Sequence, residues 1–187
     1  IEKTVFDQFA YNPEEFIIRA AAIINDEKAT AVIQHITYNA LEDRYGTDIF
    51  TEPTIKGKLG MNAMKAKRHL YDHIVYDSTN EQKFAEQLDT NKDVAVYVKL
   101  PSGFYISTPV GRYNPDWAIA FYEGSVKHIY FVAETKGTLD TMKLNHITPT
   151  EQAKIDCAKA HFRAISTDDV VYSVVDSYQA LLEKVMK

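Results

Sequence analysis

Two acids and one amine carry the most chemistry in this chain. Asp116 follows Pro115, and Glu134 precedes Lys136 by two residues. The residues between them predict two strands, Trp117 to Tyr122 and His128 to Thr135, with a turn at Glu123-Gly124-Ser125. If Tyr122 pairs with His128, counting outward along both strands sets Asp116 opposite Glu134. Cross-strand partners share a face of the sheet. Lys136 joins that face if its strand runs on, although a bulge would shift the register by one residue.

Facing carboxylates repel unless a cation lies between them. An all-oxygen pair suits Mg²⁺, a hard ion that keeps several waters, and the Thr135 carbonyl is a further candidate ligand. Such an ion polarises a phosphodiester and helps water to attack it. Lys136 is suited to positioning that water or to stabilising charge in the transition state. On spacing alone, the same set also fits a solvated charge cluster at a strand end. Glu81-Gln82-Lys83 repeats the acid-x-lysine spacing. It falls on a predicted helix and precedes the Pro-Asp pair, so its order and setting are wrong.

The elements that would position these residues are legible in part. Asn12-Pro13-Glu14-Glu15 reads as a capped helix start, followed by Phe16, Ile17, Ala20, Ile23 and Ile24 at helical spacing. Thr30 to Tyr38 fits either strand or helix. Gly46, Pro53, Gly57 and Gly60 mark a loop-rich boundary. Beyond it, a helix capped by Ser78 or Thr79 carries Glu81, Phe84, Ala85 and Leu88. Asp93 to Leu100 alternates as a strand and Phe104 to Thr108 is a second one. Pro109 to Pro115 reads as a loop. Thr148-Pro149-Thr150-Glu151 opens a helix to about Ala164, before a strand at Val170 to Val175 and a helix at Ser177 to Met186. The expected class is therefore α/β, a central mixed β-sheet flanked by helices. Trp117, at the start of a buried strand, is expected in the core.

The 187 residues fit one domain, or one domain plus an extension. Hydrophobic residues make up 45 %, with twelve Tyr and nine Phe, which argues for an ordered core rather than disorder. No apolar run approaches the roughly 20 residues of a membrane span, and no membrane association is expected. A single cysteine, Cys157, permits no internal disulfide and suggests a reducing, cytoplasmic compartment. The chain opens on Ile1, and a piece of a longer polypeptide is expected. The net charge of −5 counts against a nucleic-acid binder. Yet Pro53 to Tyr71 contains Lys56, Lys58, Lys65, Lys67 and Arg68 and no acid. This stretch is either a solvated loop and helix face or a set of phosphate contacts. Arg112, close before Asp116, is a further phosphate-contact candidate.

Longer strings carry a resemblance. They run from Tyr71-Asp72-His73-Ile74 through Tyr76-Asp77-Ser78, Glu81-x-x-Phe84-Ala85 and Val98-Lys99-Leu100-Pro101. They continue in Thr108-Pro109-Val110-Gly111-x-Tyr113-Asn114-Pro115-Asp116-Trp117-Ala118, Glu134-Thr135-Lys136-Gly137 and Lys154-Ile155-Asp156-Cys157-Ala158-Lys159-x-His161-Phe162. Together they resemble the endonuclease region of type III restriction enzymes, over about residues 60 to 165. Residues 1–59 resemble, more weakly, the segment joining helicase and nuclease in that restriction (Res) subunit.

The resemblance implies a PD-(D/E)xK restriction-endonuclease-like core at 60–187 with an N-terminal extension at 1–59. It implies Mg²⁺-dependent cleavage of double-stranded DNA, leaving 5′-phosphate and 3′-hydroxyl ends. The family's metal ligands carry over to Asp116 and Glu134, and its catalytic lysine to Lys136. Glu81 is the best match for a supporting helix acid, and an exposed acid favoured by the helix dipole fits it equally. The implied partners are a modification methyltransferase subunit and a helicase/translocase region of the same polypeptide. No G-x-x-x-x-G-K-[ST] loop is present, so ATP and S-adenosylmethionine would enter only through regions or subunits outside this chain. The rival readings are a catalytically silent DNA- or partner-binding coupling module and a hydrolase of small phosphate esters.

Overall fold

The computed structural model describes residues 9–33, 36–39, 46, 50, 57–125, 130–135, 148–165 and 170–186. In chain order these form α1 (Pro13–Ile33), β1 (Ala63–Lys65), β2 (His73–Val75), α2 (Thr79–Thr90), β3 (Val94–Lys99), β4 (Ile106–Thr108), β5 (Gly111–Tyr113), β6 (Trp117–Phe121), β7 (Tyr130–Thr135), α3 (Pro149–Ile165), β8 (Val170–Val175) and α4 (Tyr178–Val185). Four strands make the main sheet, in the order β3-β6-β7-β8. The first two pairings are antiparallel and β7–β8 is parallel, so the sheet is mixed, as expected. A parallel pair needs a long crossover, and α3 lies within it.

The local signals read from the chain act as expected. The Ser78 hydroxyl accepts the Glu81 N–H and caps α2, and the Ser177 hydroxyl accepts the Ala180 N–H and caps α4. Asn12 accepts the Glu15 N–H ahead of Pro13, so α1 begins where the Asn-Pro pair predicts. The ambiguous segment from Thr30 is helical as far as Ile33. The apolar spacing of α1 does not mark a buried face. Ile17, Ile23 and Ile24 are exposed, and Thr150 of α3 donates to Asp26 at 2.7 Å on its inner side.

Helices α2 and α4 cover one face of the sheet. Phe84, Ala85, Leu88, Leu181 and Val185 pack there on Tyr97, Trp117, Ile119 and Val175. On the other face Ile155, Ala158 and Phe162 of α3 pack with Val132, Ile106 and Tyr113, and Phe162 stacks on Tyr172.

Two small hairpins correct the sequence reading. The stretch expected as the loop Pro109 to Pro115 contains β5, which pairs with β4 outside the main sheet. Gly111, at φ +112°, makes the tight connection possible. Of the basic stretch, read as loop and helix face or as phosphate contacts, Ala63–Lys65 is instead strand β1, paired with β2 beyond the stretch. Its continuation runs along the outer edge of β3, where Tyr97 N–H donates to the Arg68 carbonyl and Leu70 N–H to the Tyr97 carbonyl.

Candidate active site

The antiparallel register of β6 and β7 pairs Trp117 with Ala133, Ala118 with Val132 and Ile119 with Phe131. That is the register expected from the turn. One step outward from the Trp117–Ala133 pair come Asp116 and Glu134. Glu134 lies in β7 and pairs with Val174 on its other flank, while its side chain and all of Lys136 lie outside the described residues.

Pro115 explains how the ladder ends. It has no N–H to offer, and β6 begins only at Trp117. The Asp116 side chain takes over where the backbone stops. Its Oδ2 accepts both the Thr135 N–H and the Thr135 hydroxyl, each at 2.7 Å. The Asp116 carbonyl accepts the Leu100 N–H at 2.8 Å, beside the end of β3. The residue is therefore held from both neighbouring strands. Within a strand, the N–H and C=O of one residue point to the same neighbour. The Thr135 carbonyl thus faces the flank on which Asp116 sits.

Trp117 is fully buried. Its indole Nε1–H donates to the Thr135 hydroxyl at 3.2 Å, and its ring lies against Phe84 and Tyr97. The expectation that it belongs to the core agrees with this, and the hydrogen bond adds to it.

Glu81 stands at the start of α2. Its Oε2 accepts the Asp77 N–H at 3.0 Å and lies 2.7 Å from the Lys99 ammonium. Lys99 also reaches Asp77, at 2.5 Å. Burial lowers the Lys99 pKa, but the two carboxylates outweigh it and hold the ammonium above the ordinary lysine range. Lys99 pairs with Trp117 across β3 and β6, so this ion cluster occupies the α2 face at the same end of the sheet as Asp116. Sequence reasoning missed Lys99 as a site neighbour. A lysine closing an otherwise apolar strand was the available signal.

His69 completes that end. The Lys99 N–H donates to its Nε2 at 3.2 Å, while Nδ1 lies 3.2 Å from the Tyr71 carbonyl. The Tyr71 N–H also points at Nδ1, at 3.2 Å, so a backbone donor addresses each ring nitrogen; a neutral ring can accept from one of them and an imidazolium from neither. Burial pushes the His69 pKa down, against the smaller opposing effects of the Tyr71 carbonyl and Asp89.

Of the basic candidates, Lys58, Lys65, Lys67 and Arg112 are exposed, and Lys56 lies outside the described residues. Arg68 is half-buried and spends one guanidinium nitrogen on the Val94 carbonyl at 2.6 Å. The backbone amides of Lys67 and Arg68 both donate to Asp89, each at 2.8 Å. Arg112 lies over the Tyr105 ring at 4.2 Å. The hairpin carrying it is fastened by Asn114, whose amide donates to the carbonyls of Ser102 and Phe104. The Tyr113 and Tyr172 hydroxyls also bond to each other.

Among the described residues, no group of three or more His, Cys, Asp or Glu is arranged to hold a metal. The donors that fit a hard cation are the Asp116 carboxylate and the Thr135 carbonyl, with Glu134 in register beside them. Thr135 supplies two donors to Asp116 Oδ2, which hold the carboxylate in place.

Residues 67–178 match the family model described as an endonuclease domain. That span includes Glu81, Asp116, Glu134, Thr135 and Lys136. No curated protein and no solved structure matches the chain.

Proposed function

The chain belongs to this endonuclease-domain family, and on that premise we propose that it cleaves double-stranded DNA with Mg²⁺. In this reading it is the C-terminal cleavage domain of a type III restriction enzyme's restriction subunit. The observation that supports the reading is the β6–β7 register, whose end pair Trp117–Ala133 leaves Asp116 and Glu134 each one residue further out, while Thr135 anchors the Asp116 carboxylate.

Asp116, Glu134 and the Thr135 carbonyl would hold the ion. When bound, Mg²⁺ offsets phosphate charge and acidifies a nearby water. Asp116 is fixed through Oδ2, so its free-energy cost of ordering is met before any ligand arrives. Lys136, two residues beyond Glu134, supplies a positive charge for the pentavalent phosphorus. Glu81 acts through Lys99, which it holds at the same end of the sheet. Lys58, Lys65, Lys67 and Arg112 offer cations for the DNA backbone, with Arg68 and Lys56 in the same basic stretch. With a net charge of −5, the chain grips DNA weakly alone. Sequence recognition then falls to a modification subunit, and movement along DNA to a helicase region, in a cytoplasmic assembly.

Supercoiled plasmid with Mg²⁺ tests this directly. Wild type should nick it, and Asp116→Asn and Lys136→Ala should each lose roughly 100-fold or more of the rate at matched concentration. Equal nicking by all three proteins would remove the catalytic assignment. Faster hydrolysis of a chromogenic phosphate ester than of DNA would favour a small-ester hydrolase instead.

A further inference from the structure

Three groups at the start of β6 form a chain of hydrogen bonds with only one possible direction. An indole N–H can only donate and an ionised carboxylate can only accept. The hydroxyl between them therefore has no choice. Thr135 Oγ1 receives the Trp117 Nε1–H at 3.2 Å and passes its own proton toward Asp116 Oδ2 at 2.7 Å. Hydroxyl rotors are ordinarily free to turn, and this one is locked from both ends. The Thr135 backbone N–H reaches the same Oδ2 at 2.7 Å. One residue thus fixes the carboxylate with two donors, and a fully buried ring fixes that residue.

We propose that Trp117 and Thr135 are positioning residues for a cation held by Asp116, and that this indole signals whether the cation is bound. The proposal rests on the metal reading of Asp116 given above. Bonds in such a chain polarise one another. A dication on the Asp116 carboxylate would draw electron density from it, weaken Oδ2 as an acceptor, and so change the bond that Thr135 accepts from the indole. Neither side chain touches the ion or the DNA. Partners of this kind orient a ligand, and their loss costs roughly 10–100-fold in metal affinity. The sequence holds one tryptophan, so its indole gives one unambiguous signal.

The test is an ¹⁵N–¹H titration of this chain with Mg²⁺, following the indole Nε1–H resonance, beside calorimetry of the same titration. In wild type the resonance should move with the midpoint that calorimetry gives. Asp116→Asn should abolish both responses. Thr135→Val keeps shape and backbone N–H but loses the hydroxyl. It should weaken Mg²⁺ binding roughly tenfold and leave the indole unresponsive. Thr135→Ser should restore both.

If wild type binds Mg²⁺ through Asp116 while the indole resonance stays still, or Thr135→Val binds as wild type does, the relay is wrong and the metal reading stands. If wild type binds no Mg²⁺, or Asp116→Asn binds it equally, the metal reading falls and the relay falls with it. Should Thr135→Val fail to fold, the wild-type titration and Thr135→Ser still decide.

Discussion

A neutral His69 suits the geometry, because the backbone N–H groups of Lys99 and Tyr71 each address a ring nitrogen. Protonation would put a proton on both nitrogens and leave neither able to accept. The sign follows from the lowered pKa. The unfolded ring, at its ordinary 6.5, takes up protons that the folded ring resists. The stabilisation is present above that value and is lost as pH falls through the folded pKa. His161, also lowered by burial, adds to the same window. Urea midpoints followed from about pH 8 to about pH 5 should drop on the acid side. They should drop less in His69→Gln, and an equal drop in that variant would remove His69 from the account.

Among the elements, the β4–β5 hairpin has the clearest dependence on one residue. Gly111 sits at φ +112°, where a side chain is strained, while the space around it is open enough for a methyl group near Lys154. Gly111→Ala should therefore cost about 1–3 kcal/mol through backbone strain alone. Gly103→Ala, in open space at an ordinary φ, should cost almost nothing. Chemical denaturation of the two variants makes the comparison, and equal losses would show that the hairpin tolerates a Cβ. The hairpin also shows why part of the fold was hidden in the sequence. Three-residue strands are too short to display alternation, so Gly111 to Tyr113 read as loop. The cap at Ser78 and the β6–β7 register were legible because each depends on neighbours a few residues apart. The grip of His69 on Lys99 joins residues distant in the chain, and no local pattern announces it. The Thr135–Asp116 bond lay equally out of reach, since the sequence offered Thr135 only as a backbone ligand.

For the molecule as a whole, the acidic surplus and the candidate cation site point in one direction. A divalent ion that binds the native chain and not the unfolded one must raise its stability by mass action. At 100 times its dissociation constant the gain is about 2.7 kcal/mol. Thermal melts should therefore shift upward with millimolar Mg²⁺ in wild type and stay unchanged in Asp116→Asn. Equal shifts in both would mean that the ion acts elsewhere on the acidic surface.

The place of β7 in the strand order has its own consequence. With β6 on one side and β8 on the other, β7 cannot fray as an edge strand does. Backbone amides there trade hydrogen for solvent deuterium only when the sheet opens as a unit. The amide that Thr135 gives to Asp116 stands at the end of this strand and is held by a side chain rather than by the ladder. Surface hairpins can breathe on short timescales while the central strand that anchors the acid at the head of β6 stays paired on both sides.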